Sequence, residues 1–207
     1  MRIPQVKMAV VLLASMTVVG VFSDGSNAQS NEGSSAYGGG GVSRDSALSN
    51  IAAWTPVNAA TTGRIVKALN SAAEFCRSKA DRAFVLDCMN YEYWQIVNAL
   101  PKTGEYAEVR VALEGAAKNM SALVKRHGTQ TSAKTLSRGG SQPKTTTRKI
   151  APVPASAVST TARQAANAIA EAQTVLLRST GNSDLRRVQF QRIAQAMDSG
   201  AILLRSL

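Results

Sequence analysis

The sequence predicts an all-α protein: a helical bundle with a disulfide-tied helical hairpin, a disordered basic linker and a C-terminal αα-hairpin. Three observations carry this prediction. Apolar residues recur at steps of three and four over several stretches, which places them on one face of a helix. Only 5% of the 207 residues are aromatic and Ala is abundant, which favours helix over sheet. The only cysteines, Cys76 and Cys88, stand in a region whose apolar pattern reads as helical on both sides of them.

The first 28 residues have the three-part layout of a cleavable secretory signal peptide. Arg2 and Lys7 form a positive start, Met8 to Phe22 is uncharged and apolar, and Ser26 and Ala28 supply the small residues of a cleavage site. The apolar core is shorter than the roughly 20 residues that span a bilayer as a helix. Export to the periplasm or the exterior, with cleavage after about Ala28 and no stable membrane span afterwards, is the expectation. Residues 29–44, with Gly38 to Gly41, read as a flexible Gly/Ser leader.

A helical unit is expected over 45–127. A short helix is plausible from Asp45 to Trp54, stopped by Pro56. Ile65, Leu69, Ala72 and Cys76 then form a stripe, with Thr61 or Thr62 as N-cap. The stretch Ala83 to Leu100 is apolar on two sides, through Phe84, Cys88, Tyr91 and Trp94 and through Val85, Met89, Ile96 and Leu100. Such a helix should be central, flanked by others. Thr103 is placed to cap the next helix, whose stripe runs Tyr106, Val109, Leu113, Ala116, Met120, Leu123, His127. Gly128 follows where a left-handed C′ residue would sit.

From 128 to 156 the periodicity vanishes into Thr, Ser, Lys, Gly and Pro, which reads as a basic linker. It returns over 157–207 as a C-terminal hairpin. The first stripe is Val158, Ala162, Ala165, Ile169, Ala172, Leu176. The Gly181-Asn182 break and a Ser183 or Asn182 cap come next. The second stripe is Phe190, Ile193, Met197, Gly200, Leu204, Leu207, with Leu185 and Val188 widening its start. Two helices bury little alone, so this hairpin should dock on the first unit or on another copy. Val158, Ala162, Ala165, Ile169, Leu176, Phe190, Ile193, Met197 and Leu204 are the face offered to a core or a partner.

Cys76 and Cys88 are an even pair in a chain read as exported, and so are expected to form a disulfide. In one continuous helix their Cα atoms would lie about 18 Å apart. A disulfide needs less than about 7 Å. The chain must therefore turn near Ser78 to Arg82.

Charge gives the functional expectation. The chain carries a formal +11, and no acidic residue stands between Glu114 and Glu171, an interval holding nine Lys or Arg. Lys125, Arg126, Lys134, Arg138, Lys144, Arg148 and Lys149 are the candidate contacts to an anionic surface, such as a wall polymer or lipid headgroups. The absence of aromatics from 128–157 argues against nucleic acid bound by base stacking. No catalytic, cofactor or metal constellation stands out. His127 is the sole histidine and sits in a helix last turn beside Lys125 and Arg126, where a cation suits the dipole. The functional expectation is a non-enzymatic envelope or periplasmic interaction protein, with helical faces for a protein partner or self-association through the C-terminal hairpin. One alternative is an enzyme acting on cell-wall polymer through a carboxylate such as Glu74 or Glu92. Another is a helical adaptor or inhibitor of one envelope protein, which would expose an apolar patch along the 158–207 stripes.

Overall fold

A computed structural model describes Leu48, residues 50–139 and residues 144–207, with the side chain of Lys144 left out. The expected signal peptide, the leader and residues 45–47 and 49 of the helix expected over 45–54 lie outside the described residues; Leu48 is helical, but 50–54 form turns rather than the expected helix, the Ala52 N–H being taken by the Thr55 hydroxyl. Leu48 and Ile51 are buried and Trp54 is not.

Among the described residues five long helices carry the fold: α1 (Ala59–Lys79), α2 (Val85–Ala99), α3 (Ala107–His127), α4 (Ala155–Arg178) and α5 (Asp184–Arg205). Every residue of the α1 stripe is buried, as are all six of the Val158 to Leu176 stripe on α4. Each helix packs on its neighbour in sequence, and α5 returns to pack against α1, closing a ring. The C-terminal hairpin thus docks on the first helical unit, and one hydrophobic core runs from Leu48 to Leu204. Each large apolar side chain withdrawn from water there stabilises by about 1.5–3 kcal/mol.

Direction alternates from α1 to α5, so the pair that closes the ring, α5 and α1, runs parallel. The Tyr106 hydroxyl accepts from the Asn58 N–H at 3.2 Å, bringing the starts of α1 and α3 together. Arg186 pairs with Glu105 at 2.6 Å, which brings the start of α5 to the same place. We call this the entry end, because the chain enters the bundle here. At the opposite end Cys76 and Cys88 are bonded, their Cα atoms 5.7 Å apart. The turn between them is Ala80, Asp81 and a single 3₁₀ turn, Arg82–Phe84, where the sequence required one.

Several local expectations give way to other residues. Asn58 caps α1, its Oδ1 accepting from the Thr61 N–H at 2.8 Å. Thr62 is instead buried with its hydroxyl 3.1 Å from that of Tyr106. Helix α3 starts at Ala107 rather than near Thr103, and Tyr106 at its N-cap gives no side-chain cap. Gly128 has an extended backbone, not a left-handed one. A Cβ there would lie 2.6 Å from the Val124 carbonyl oxygen, so glycine serves close approach. Ser183 caps α5 as expected, accepting from the Arg186 N–H at 3.2 Å, and Gly181 has a positive φ. Leu185 and Val188 do not widen the α5 face, being 55% and 53% exposed.

The main departure concerns the basic interval, which is ordered over its described residues. Ser137–Arg138 (β1) pairs antiparallel with Lys144–Thr145 (β2), and Lys134 bridges to Ile150. Between these pairings the second arm is longer, and its slack, Thr147 and Arg148, bulges onto α2. Leu136, Ile150, Ala151 and Val153 are buried and pin the segment down. It forms a strap across α2, and so explains the two-sided apolarity of that helix. One side of α2 faces the ring and the other is covered by the strap, not by a further helix.

Candidate anionic-surface site

The strap is fixed to the disulfide hairpin by three cations, each shared between an acid and a ring. Lys134 pairs with Asp81 at 2.6 Å and stands 4.4 Å from the Phe84 ring centroid. Arg138 pairs with the fully buried Glu92 and lies 3.9 Å over Phe75. Arg148 makes a two-pronged contact with Asp87, at 2.7 and 2.6 Å, and lies 5.5 Å from the Tyr91 ring. Both geometries are favourable: a guanidinium fork matches a carboxylate, and a cation is drawn to an aromatic face. The Lys134 ammonium, by hydrogen bond and then by charge, holds the Asp81 carboxyl below the usual carboxylate range.

Asp87 also accepts from the Ala151 N–H at 2.7 Å and from the Asn90 amide at 3.1 Å. Asn90 in turn accepts from Ser121, and Ser121 from the Trp94 indole N–H. The polar network thus runs from the strap through α2 into α3. Tyr91 and Tyr93 are buried; burial, then the negative charge of Asp198, pushes the Tyr93 phenol well above its ordinary value.

Of the seven cations expected at an anionic surface, Lys134, Arg138 and Arg148 are therefore engaged internally. Lys144 lies on β2, and its side chain is outside the described residues. Lys125, Arg126 and Lys149 are exposed. The backbone brings them together: the Thr129 N–H donates to the Pro152 carbonyl, and Lys134 pairs with Ile150, next to Lys149. Two further exposed cations, Lys79 and Arg82, flank Asp81 on the same end. Sequence alone does not single them out, because they sit in a region of balanced charge. Yet the acids that balance it here, Glu74, Asp81, Asp87 and Glu92, are each taken by an arginine or lysine. The strap end therefore presents Lys79, Arg82, Lys125, Arg126 and Lys149 exposed, the one acid among them, Asp81, being paired with Lys134.

No family model, curated protein or solved structure matches this chain. Its chemistry has to be read from its own residues. Glu74 and Glu92 do not share a cleft: Glu74 is exposed, pairs with Arg77 and lines a shallow groove with Phe75 and Arg138, whereas Glu92 is buried beneath Arg138. His127 is half-buried at the end of α3. Among the described residues no group of three or more His, Cys, Asp or Glu could hold a metal ion, and no helix is long and apolar enough to cross a membrane. Val158, Ala162, Ala165, Ile169, Leu176, Phe190, Ile193, Met197 and Leu204 are all buried in the chain's own core. They are not a free partner face.

Proposed function

We propose that the chain is an exported, non-enzymatic interaction protein of the cell envelope whose strap end contacts an anionic surface. The observation that carries this reading is the group Lys79, Arg82, Lys125, Arg126 and Lys149, exposed together while every nearby acid is already engaged. Ordinary ion pairing would spread such charges among acids. Here Asp87 and Glu92 are buried under strap arginines and the exposed Asp81 is held by Lys134, while these five cations face water, which favours a positive local potential. The Cys76–Cys88 bond suits an oxidising compartment, and the apolar start of the sequence suits export. A protein partner, if held, would meet the outer faces of the helices, because the inner faces are occupied.

The test uses point changes, since deleting 129–156 would strip Asp87 and Glu92 of their partners. The protein is mixed with vesicles containing phosphatidylglycerol and sedimented. From 0.01 M to 1 M salt the screening length falls from about 30 Å to about 3 Å. The expected result is pelleting at low salt, release at high salt, and loss of low-salt pelleting in the triple variant K125E/R126E/K149E. Pelleting that ignores both salt and these substitutions would overturn the reading.

A further inference from the structure

The strap crosses the two helices that the disulfide joins, at the level of the bond. Cys76 and Cys88 are both fully buried, Cys76 in the last turn of α1 and Cys88 in the first turn of α2. Arg148 grips Asp87, the neighbour of Cys88, and the Tyr91 hydroxyl, one turn along α2, accepts from the Thr147 N–H at 3.1 Å. Arg138 bridges the seam itself. Its guanidinium lies 3.9 Å over Phe75, the neighbour of Cys76, and pairs with Glu92, one turn past Cys88 and on the same side of α2. Beside Arg138 a shallow groove opens to solvent, and its described walls, among them Ser71, Glu74, Phe75 and Ser78, come from α1 and the strap. The groove therefore approaches the seam from the Cys76 side.

We propose that Cys76–Cys88 is a thiol-exchange site gated by the strap, with a dithiol reductant as its reaction partner, Cys76 as the sulfur attacked and Cys88 as the sulfur released. The strap is the part of this end that can open by itself. Its regular strands are two residues long, and its described buried apolar residues, Leu136, Ile150, Ala151 and Val153, are fewer than those of any of the five helices. Segments with so few buried contacts open locally while the rest of the fold stays intact. With the strap lifted, a thiolate of the reductant forms a bond to the Cys76 Sγ. The Cys76–Cys88 bond breaks, and its electron pair leaves on the Cys88 Sγ. The second thiol of the reductant then displaces Cys76 from the mixed disulfide. The dithiol is oxidised to a disulfide, the protein gains two electrons, and the two protons of the dithiol end on the two cysteines.

The helix ends set the direction of attack. Cys88 sits at the positive end of α2, whose N-cap, Phe84, gives no side-chain hydrogen bond, and this end favours a thiolate. Cys76 sits at the negative end of α1, where its carbonyl accepts from the Ala80 N–H at 3.2 Å. The better-stabilised thiolate is the faster leaving group. The acids nearest Cys88, Asp87 and Glu92, are paired with arginines while the strap is closed and meet water once it lifts. Access and leaving-group chemistry thus select the same sulfur, Cys76, for attack.

The test is reduction by dithiothreitol in native buffer, with new thiols trapped by N-ethylmaleimide and counted by mass. R148A loosens the strap while Asp87 keeps the Ala151 N–H and the Asn90 amide. R138M is the second variant, and either serves if its circular dichroism matches that of the parent. The comparison is with the parent in enough urea to bring its overall stability down to that of the variant. The expected result is reduction about tenfold faster in the variant than in the matched parent, while the parent without urea stays oxidised. Glutathione, a monothiol, then reports the direction. After acid quenching and alkylation it should be found on the tryptic peptide that ends at Arg77, with maleimide on the peptide that begins at Ala83. Equal rates in the variant and the matched parent would mean that the bond is reached only by global unfolding and would overturn the gate. So would variants as resistant as the parent without urea. Glutathione on Cys88 would overturn the direction of attack.

Discussion

Replacing Asp87 with alanine should unfasten the strap, and the structure sets the size of the effect. Asp87 is 1% exposed and receives two bonds from Arg148, one from the Ala151 N–H and one from Asn90. Its removal leaves the N–H of Ala151, itself 1% exposed, without an acceptor, at a cost of about 1–3 kcal/mol. The Arg148 side chain is 43% exposed, so its charge regains water and only the pairing is lost, about 1.5–3 kcal/mol. The two contributions together come to about 2.5–6 kcal/mol, a range that brackets the roughly 3–5 kcal/mol usual for stripping one partner from a buried pair. With a urea slope of about 2 kcal/mol/M the unfolding midpoint should drop by about 2 M. Asp87→Asn keeps one acceptor oxygen and should cost about half as much. Glu74→Ala, which breaks an exposed pair with Arg77, should cost under about 0.5 kcal/mol. Urea unfolding followed by circular dichroism measures all three, and hydrogen exchange reads the Ala151 amide directly. A D87A loss below about 1 kcal/mol, or an Ala151 amide still protected, would refute the reasoning.

Further outcomes are expected. The double variant C76A/C88A should lose about 2–3 kcal/mol, and because both cysteines are fully buried, reductant should leave the native protein intact until denaturant is added; thiol labelling with and without urea checks this. Gly63→Ala and Gly115→Ala place a Cβ in open space within helices and should each raise stability by about 0.5–1 kcal/mol, whereas Gly200→Ala meets the buried Met89 Cε at 2.7 Å and should lower it by about 1 kcal/mol, overpacking outweighing propensity in thermal melts. Because the folded-state value of Tyr93 is raised, its contribution is complete below about pH 10, the unfolded value, and is lost as pH climbs through the folded value; alkaline unfolding of Tyr93→Phe should lack that component. Asp81 has the opposite sign, its contribution being present above the ordinary carboxylate range and lost as pH falls through its lowered folded value.

The helices were legible because a helix face writes itself along the sequence at steps of three and four. The stripes through Ile65, Val109 and Val158 needed nothing beyond their own neighbours. The Cys76–Cys88 bond was legible for a related reason: its span and the length of a disulfide together demand a turn. The strap was not legible, because its contacts join residues far apart. Lys134, Arg138 and Arg148 find acids 46 to 61 positions earlier, and no local pattern announces such a pairing. Two signals did point that way. Helix α2 has more apolar circumference than its neighbouring helices could cover, and the supposed linker carries Leu136, Ile150 and Val153, which a purely solvated tether has no use for. For the same reason the basic face was only half read: excess charge is visible in composition, but which cations stay free depends on where the acids fold.

The contact between α1 and α5 bears on how the chain acquires its shape. Helices α1 and α5 are neighbours, so the ring has no stable partial form in which both faces of α1 are covered before α5 arrives. Residues such as Ile65 and Leu69 stay open to water until α5 arrives, and closing that distance is an entropic cost met only at the end. A chain emerging from a ribosome or crossing a membrane N-terminus first would remain unlatched until its last 22 helical residues are through. At that point the bundle would close in one cooperative step.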